Sequence, residues 1–193
     1  MPSQCLFPAF LRLEDRPVLL VGGGRVAASK LSALTEAGAH VTVVAPQIRP
    51  DLERPEVRLL RRAFEPADLD GLWLAVAAAP PEINRAVREA AEERRIFLNA
   101  ADDPAAASLY LGGVVRKAGV TLAISTNGRA PALAGLLREA LEALLPDDLG
   151  DWLTLSDRLR ARWRAEHTPF TDRRPLLLRA LADKYAAAAR GAP

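Results

Sequence analysis

Pro17-Val-Leu-Leu-Val-Gly-Gly-Gly-Arg-Val-Ala27 decides the fold. Its first half is a short apolar run with no polar interruption, the pattern of a parallel strand buried on both faces. Its second half fits G-x-G-x-x-A, with Gly22, Gly24 and Ala27 at the marked positions. In that fingerprint the first glycine permits a tight turn. The second lets the backbone approach a pyrophosphate, and a small residue at the third position lets a helix pack closely on the strand. The helix that follows aims unpaired N–H groups and its positive dipole end at the turn.

Working outward, Arg25 to Ala37 carries helical spacing, with Val26, Ser29, Ala33 and Ala37 on one face and Gly38 as the C-terminal cap. His40-Val-Thr-Val-Val-Ala45 is a second strand, stopped by Pro46. Strand, glycine turn, helix and strand within about 30 residues make a right-handed βαβ unit. Val57–Arg61, Leu72–Ala77 and Ile96–Asn99 read as further strands, and Pro81–Arg94 as a helix with proline in its first turn. Trp73, on the apolar fourth strand, reads as core. The fold class is therefore α/β: a Rossmann-type parallel sheet with helices on both faces.

Beyond residue 112 the pattern changes. Ser108–Val115 and Val120–Ser125 suit an antiparallel hairpin joined by Arg116-Lys-Ala-Gly119. Pro131–Leu145 repeats leucine at the helical period, and Pro146 interrupts it. The remainder is helical in composition, with a break near Thr168–Thr171. Three segments follow: a dinucleotide-binding domain over 1–112, a hairpin-helix segment over 113–146 and a helical C-terminal domain over 147–193.

Composition narrows the function. The 193 residues carry 26 Lys and Arg against 24 Asp and Glu, with no block of like charge, which argues against a nucleic-acid partner. One cysteine, Cys5, excludes an internal disulfide, and its apolar setting reads as packing. The N-terminus lacks the pattern of a signal peptide, and no apolar run is long enough to span a bilayer. A soluble, cytoplasmic protein without membrane contact is the default expectation. His40 and His167 are isolated, so no metal site is expected.

Ligands of open α/β sheets bind beyond the carboxyl ends of the strands. The candidate cofactor residues are Gly22, Gly23, Gly24, Arg25, Val26 and Ala27 at the turn, Ala45 and Pro46 after the second strand, and Asn99 on the fifth. An acid for ribose hydroxyls is missing after the second strand. Arg49 nearby suits either a 2′-phosphate or a solvated loop, and the residues themselves do not separate NAD from NADP. Asn99 suits strand-end capping or a polar contact to ligand. Asp102 is placed for acid–base work or for holding a metal, while the residues alone favour a turn before Pro104. Ser125, Thr126, Asn127, Gly128 and Arg129 put hydroxyls, backbone N–H groups and a guanidinium ahead of a helix that begins at Pro131. That arrangement suits carboxylates or simple N-capping.

Taken in order, these stretches resemble one family: Val-Gly-Gly-Gly-Arg-Val-Ala-Ala-Ser-Lys at 21–30, Gly-Ala-His-Val-Thr-Val-Val-Ala-Pro at 38–46, Trp-Leu-Ala-Val-Ala-Ala-Ala at 73–79, Arg-Ile-Phe-Leu-Asn-Ala-Ala-Asp at 95–102 and Ser-Thr-Asn-Gly-Arg-Ala-Pro-Ala-Leu-Ala at 125–134. The family is precorrin-2 dehydrogenase, the N-terminal module of sirohaem synthase. The resemblance runs from about Leu6 to about residue 165. It implies NAD-dependent oxidation of the tetrapyrrole precorrin-2 to sirohydrochlorin and a homodimer built largely on the middle segment. In some members it also implies insertion of ferrous iron, a substrate, to give sirohaem. It assigns the family's key aspartate to Asp102 and its hydroxyl loop to Ser125 and Thr126. Thr126 stands where the family often has Ser, Ala130 where it usually has Ser, and Arg129 where the residue is often small. The missing acid is common in the family. An NAD(H)-binding regulatory module without turnover is the alternative, and the glycine turn alone does not separate the two.

Overall fold

The computed structural model describes residues 6–101 and 103–190. They form two compact units, one of residues up to Leu111 together with Ser125–Ala130, the other of Gly112–Ile124 and the chain from Pro131 onward.

The first unit holds a parallel sheet of β1 (Pro17–Val21), β2 (His40–Val44), β3 (Arg58–Leu60), β4 (Leu74–Ala77) and β5 (Phe97–Ala100). Their spatial order is β3-β2-β1-β4-β5, so the order reverses beside β1. Alternation along the strands assigns the two faces. Val18, Leu20, Val41, Val43 and Val76 pack with Ala27, Leu31 and Leu34 of α1 (Arg25–Glu36). Leu19, Val21, Ala75, Ala77 and Leu98 pack with Val87, Ala90 and Ala91 of α2 (Pro81–Glu93). Helices thus pack on both faces, and the central strands β1 and β4 are apolar along their length because they are covered on both sides.

The buried face of α1 differs from the sequence expectation. Ala27, Leu31 and Leu34, at i, i+4 and i+7, are buried, whereas Val26, Ser29 and Ala33 are exposed. Large side chains bury the most apolar area, so the two leucines set the helix rotation. Gly38 does cap the helix, at φ 76. Trp73 is also not core: it is 56% exposed, just ahead of β4, with the Arg16 guanidinium 4.3 Å from its ring centre. It sits on the rim of the sheet, where cation and ring cover each other.

A short 3₁₀ turn, Pro66–Leu69, replaces a helix between β3 and β4. Asp68 there receives two hydrogen bonds from Arg62 and one from the Glu65 N–H. The guanidinium holds its carboxyl below the ordinary carboxylate range.

In the second unit β6 (Gly113–Lys117) and β7 (Val120–Ile124) pair antiparallel. Ala118 and Gly119 form a two-residue turn, both at positive φ as such turns require. The hairpin is shorter than its sequence suggests, since Ser108–Gly112 is not strand and Ser125 lies beyond β7. The helices are α3 (Pro131–Leu144), α4 (Leu149–Ala165) and α5 (Phe170–Arg190). Gly113 lets α3 come close: a Cβ there would lie 3.0 Å from the Ala134 carbonyl oxygen. Trp163 is buried on α4, while Trp152 donates to the Tyr185 hydroxyl at 2.8 Å, which donates to Asp148 at 3.0 Å. The expected helix break falls between α4 and α5, with His167 at φ 53. Cys5 lies outside the described residues.

Candidate functional site

The glycine turn bridges β1 and α1 at the carboxyl edge of the sheet, and its three glycines are required for different reasons. Gly22 has φ 127, and a Cβ there would lie 2.2 Å from the Ala78 carbonyl oxygen. A Cβ on Gly23 would lie 1.9 Å from the Gln47 carbonyl oxygen. Protein backbone fills both places, so these two glycines serve the close approach of three strand-end loops. Gly24 is the opposite case: apart from its own chain neighbours, no atom of the described residues lies within 4 Å of the Cβ it lacks. That open space lies at the start of α1, where Gly24 is the N-cap and no side chain caps the helix. The first helical bond is Ala28 N–H to the Gly24 carbonyl at 3.1 Å. The preceding N–H groups, from Arg25, Val26 and Ala27, have no carbonyl of their own helix to reach. Ala27 is wholly buried and makes the tight seam between helix and sheet. A diphosphate therefore fits at Gly24 and the helix N-terminus, where a side chain would otherwise stand.

The loop after β2 lies against this turn. Ala45 is buried and donates to the Leu60 carbonyl, Pro46 is exposed, and the Arg49 N–H donates to the Gly23 carbonyl at 3.0 Å. The Arg49 guanidinium is held by Asp51 through two contacts of 3.0 Å. The pairing lowers the Asp51 carboxyl below its ordinary range and raises the guanidinium. Arg49 is thus an exposed loop residue whose charge is paired within its own loop, a pairing that neither sequence reading included. Asp51 is a participant that the sequence reading overlooked, although an acid two residues after Arg49 was there to be noticed.

At the other end of the sheet, Asn99 pairs in register with Val76, so its side chain projects to the α1 face. It donates from Nδ2 to the Leu109 carbonyl at 3.0 Å, while its buried Oδ1 has no hydrogen-bond partner among the described residues. A buried acceptor without a donor is costly in a structural role alone, and it suits a group that meets a ligand or water. The segment that covers the outer edge of β5 is tightly anchored. Ser108 and Leu109 both donate to the Leu98 carbonyl at 2.9 Å, and the Ser108 hydroxyl accepts from the Leu98 N–H. Ser108 is therefore a bracket on β5, which is why it does not enter the hairpin. Asp102 lies outside the described residues.

Ser125–Ala130 belongs to the first unit even though β7 and α3, its sequence neighbours, belong to the second. The Asn127 N–H donates to the Ser125 hydroxyl oxygen at 3.1 Å, and the Ala130 N–H to the Thr126 hydroxyl oxygen at 3.2 Å. Each hydroxyl oxygen accepts from its own loop, which orients its O–H as the group that donates to an acceptor such as a carboxylate. Asn127 and Gly128 stand at φ 54 and 72, and Arg129 is exposed. The two hydroxyls bond within the loop, and α3 starts at Pro131 as its sequence suggests. Pro104 and Tyr110, which this loop touches through Gly128, escaped the sequence reading.

A separate cavity of about 340 Å³ is lined by Leu19, Thr42, Arg58, Arg62 and Asp68, among others, and holds none of the candidate residues. Its charged lining is the Arg62–Asp68 pair already described together with Arg58 and Asp70. Among the described residues no group of three or more His, Cys, Asp or Glu is placed to hold a metal. No helix among them is long and apolar enough to cross a membrane.

A five-stranded parallel sheet in the order β3-β2-β1-β4-β5, with a glycine turn at the strand where that order reverses, defines a Rossmann-type dinucleotide-binding protein. The chain belongs to the family described as putative NAD(P)-binding, whose model matches residues 9–113. A second family model, the sirohaem biosynthesis protein central region, matches residues 119–144. Similar curated proteins include siroheme synthase 3 of Aeromonas hydrophila, 43% identical over 86% of this chain and 37% of that protein. Siroheme synthase 1 of Aeromonas salmonicida is 44% identical over 95% of this chain and 41% of its own length. The chain thus spans about two fifths of the length of these relatives. Among solved structures, one titled SirC, precorrin-2 dehydrogenase, shares the fold with a TM-score of 0.72 at 23% identity, covering 93% of this chain and 92% of that one.

Proposed function

We propose that this chain oxidises precorrin-2 to sirohydrochlorin with NAD, as a step of sirohaem synthesis. The observation that carries the reading is the composition of the first unit. One compact body holds an open dinucleotide cradle at Gly24, a buried unpartnered acceptor at Asn99 and a hydroxyl-bearing loop from a distant part of the sequence. The likeness to sirohaem synthases supports the choice of tetrapyrrole.

In this reading Gly22, Gly23, Gly24, Arg25, Val26 and Ala27 hold the diphosphate, and Ala45, Pro46 and Asn99 border the rest of the cofactor. NAD, when bound, supplies the acceptor for a hydride from the reduced macrocycle. The accompanying proton leaves to Asp102 or, with Asp102 orienting the macrocycle, to solvent. Ser125, Thr126, Asn127, Gly128 and Arg129 hold the macrocycle's carboxylates, since hydroxyls, N–H groups and a guanidinium all donate to them. NAD rather than NADP is favoured by the Arg49–Asp51 pair, which neutralises the cation a 2′-phosphate would need. The working assembly is a cytoplasmic homodimer, and ferrous iron is a second substrate at the same carboxylate Asp102.

The test is anaerobic: protein, precorrin-2 and NAD are mixed, and NADH and the macrocycle spectrum are followed together. Coupled growth of NADH and sirohydrochlorin is the expected result, and ferrous iron added afterwards reads out insertion. Asp102→Ala is expected to lower turnover by about 100-fold or more. NAD binding without any spectral change would instead support a regulatory module.

A further inference from the structure

Gly128 belongs to a contact that neither the fingerprint nor the proposed chemistry explains. A Cβ at this position would lie 2.9 Å from Cβ and 3.0 Å from Cγ of Pro104, and 3.2 Å from Cε1 of Tyr110. The loop backbone therefore rests directly on these two side chains. Pro104 and Tyr110 are in turn tied together, because the Tyr110 hydroxyl donates to the Pro104 carbonyl at 2.9 Å. The segment they bound is fixed to β5 through Ser108 and Leu109, and Leu109 is the residue whose carbonyl orients the Asn99 amide. A continuous chain of contacts thus runs from the Asn99 side chain to the hydroxyls of Ser125 and Thr126. At φ 72, and with no space for a Cβ, Gly128 is the one link in it that no larger residue can replace without a shift.

We infer that Gly128, seated on Pro104 and Tyr110, is a positioning residue that sets the hydroxyl loop at a fixed distance from the end of β5, and so sets the affinity for the macrocycle. The inference rests on the proposed function for its substrate. Gly128 has only its backbone to offer a carboxylate, and it touches no reacting atom. It acts by holding Ser125 and Thr126 where donors and carboxylates meet, and displacement of about 1 Å in such a site costs a large factor in rate or affinity.

The test compares Gly128→Ala with Gly71→Ala in the full chain. Gly71 has nearly the same backbone conformation, φ 75, but open space where its Cβ would go, so it carries the backbone strain without the contact. Amide hydrogen exchange at Asn127 and Ala130 is measured alongside the KM for precorrin-2 and the Kd for NAD. Gly128→Ala is expected to raise loop exchange and KM each by about tenfold or more, with NAD affinity unchanged. Gly71→Ala is expected to change none of the three. Pro104→Gly, which empties the same contact without strain at Gly128, is expected to raise KM as well. The double variant, in which the new methyl fills the gap, should lie closer to wild type than Gly128→Ala alone. Unchanged exchange in Gly128→Ala, or equal changes in Gly71→Ala, overturns the inference. So does loosened exchange with an unchanged KM, which would leave only a structural contact. A wild-type protein with no turnover would overturn the proposed function instead, and the exchange data would still decide whether the contact fixes the loop.

Discussion

Single residues divide the glycine turn into a confined part and an open part. Gly22 and Gly23 are confined by carbonyl oxygens of neighbouring loops, whereas Gly24 faces open space. Gly22→Ala is expected to unfold the edge of the sheet and lower the melting temperature, because both φ and the approach of Ala78 forbid a side chain. Gly24→Ala should lower the melting temperature by only about 2–4 °C, since an N-cap exchange of this kind costs about 1 kcal/mol or less. It should nevertheless weaken NAD binding by about tenfold or more, because the new methyl occupies the cradle. Calorimetric titration and a thermal melt on the same two variants check the division. Loss of binding at Gly22 without loss of stability would contradict it. Asp51 offers a second residue-scale experiment. Asp51→Asn removes the charge that neutralises Arg49, and the ratio of NADP to NAD affinity is expected to rise by about tenfold. An unchanged ratio would place Arg49 away from the ribose.

Among the elements, α1 shows how packing overrides a plausible pattern. Several apolar stripes can be drawn on Arg25–Glu36, but only the stripe with Leu31 and Leu34 buries large side chains against Leu20 and Val43. Leu31→Ala is expected to cost about 3 kcal/mol in a denaturant melt. Val26→Ala, on the exposed side, should cost less than about 0.5 kcal/mol. Reversal of that order would mean that the helix is rotated from its described position. The same element-scale logic explains Ser108–Gly112. Its residues suit a strand, yet its donors and its Ser108 hydroxyl are spent on Leu98, so the segment closes the outer edge of β5 rather than extending the hairpin. An exposed sheet edge is thereby covered.

On the scale of the whole molecule, α3 leaves apolar surface unexplained within its own unit. Leu133, Leu136, Leu137 and Leu144 are between 41% and 76% exposed, and only Ala134 is buried. An aliphatic row at helical spacing of this size belongs at an interface, and a homodimer is the proposed one. Leu136→Glu is expected to shift sedimentation toward the monomer, with the melting temperature then dependent on protein concentration only in the wild type. A monomeric wild type would remove the dimer from the proposal.

The sequence by itself determined the βαβ beginning, the parallel sheet, the end of α1 at Gly38, the start of α3 at Pro131 and the glycine turn. All of these follow from local periodicity or from the special conformations of glycine and proline, which few neighbours can alter. It also named Asn99 and the Ser125–Arg129 loop as candidates, though not how they are arranged. Only the tertiary structure decided which face of α1 is buried, that Trp73 stands on a rim, that Asp51 holds Arg49, and that a loop flanked by the second unit packs on Pro104 and Tyr110 of the first. Each of those depends on residues far apart in the chain competing for the same space or the same hydrogen bond. Local pattern names the candidates for such a competition, and packing selects among them.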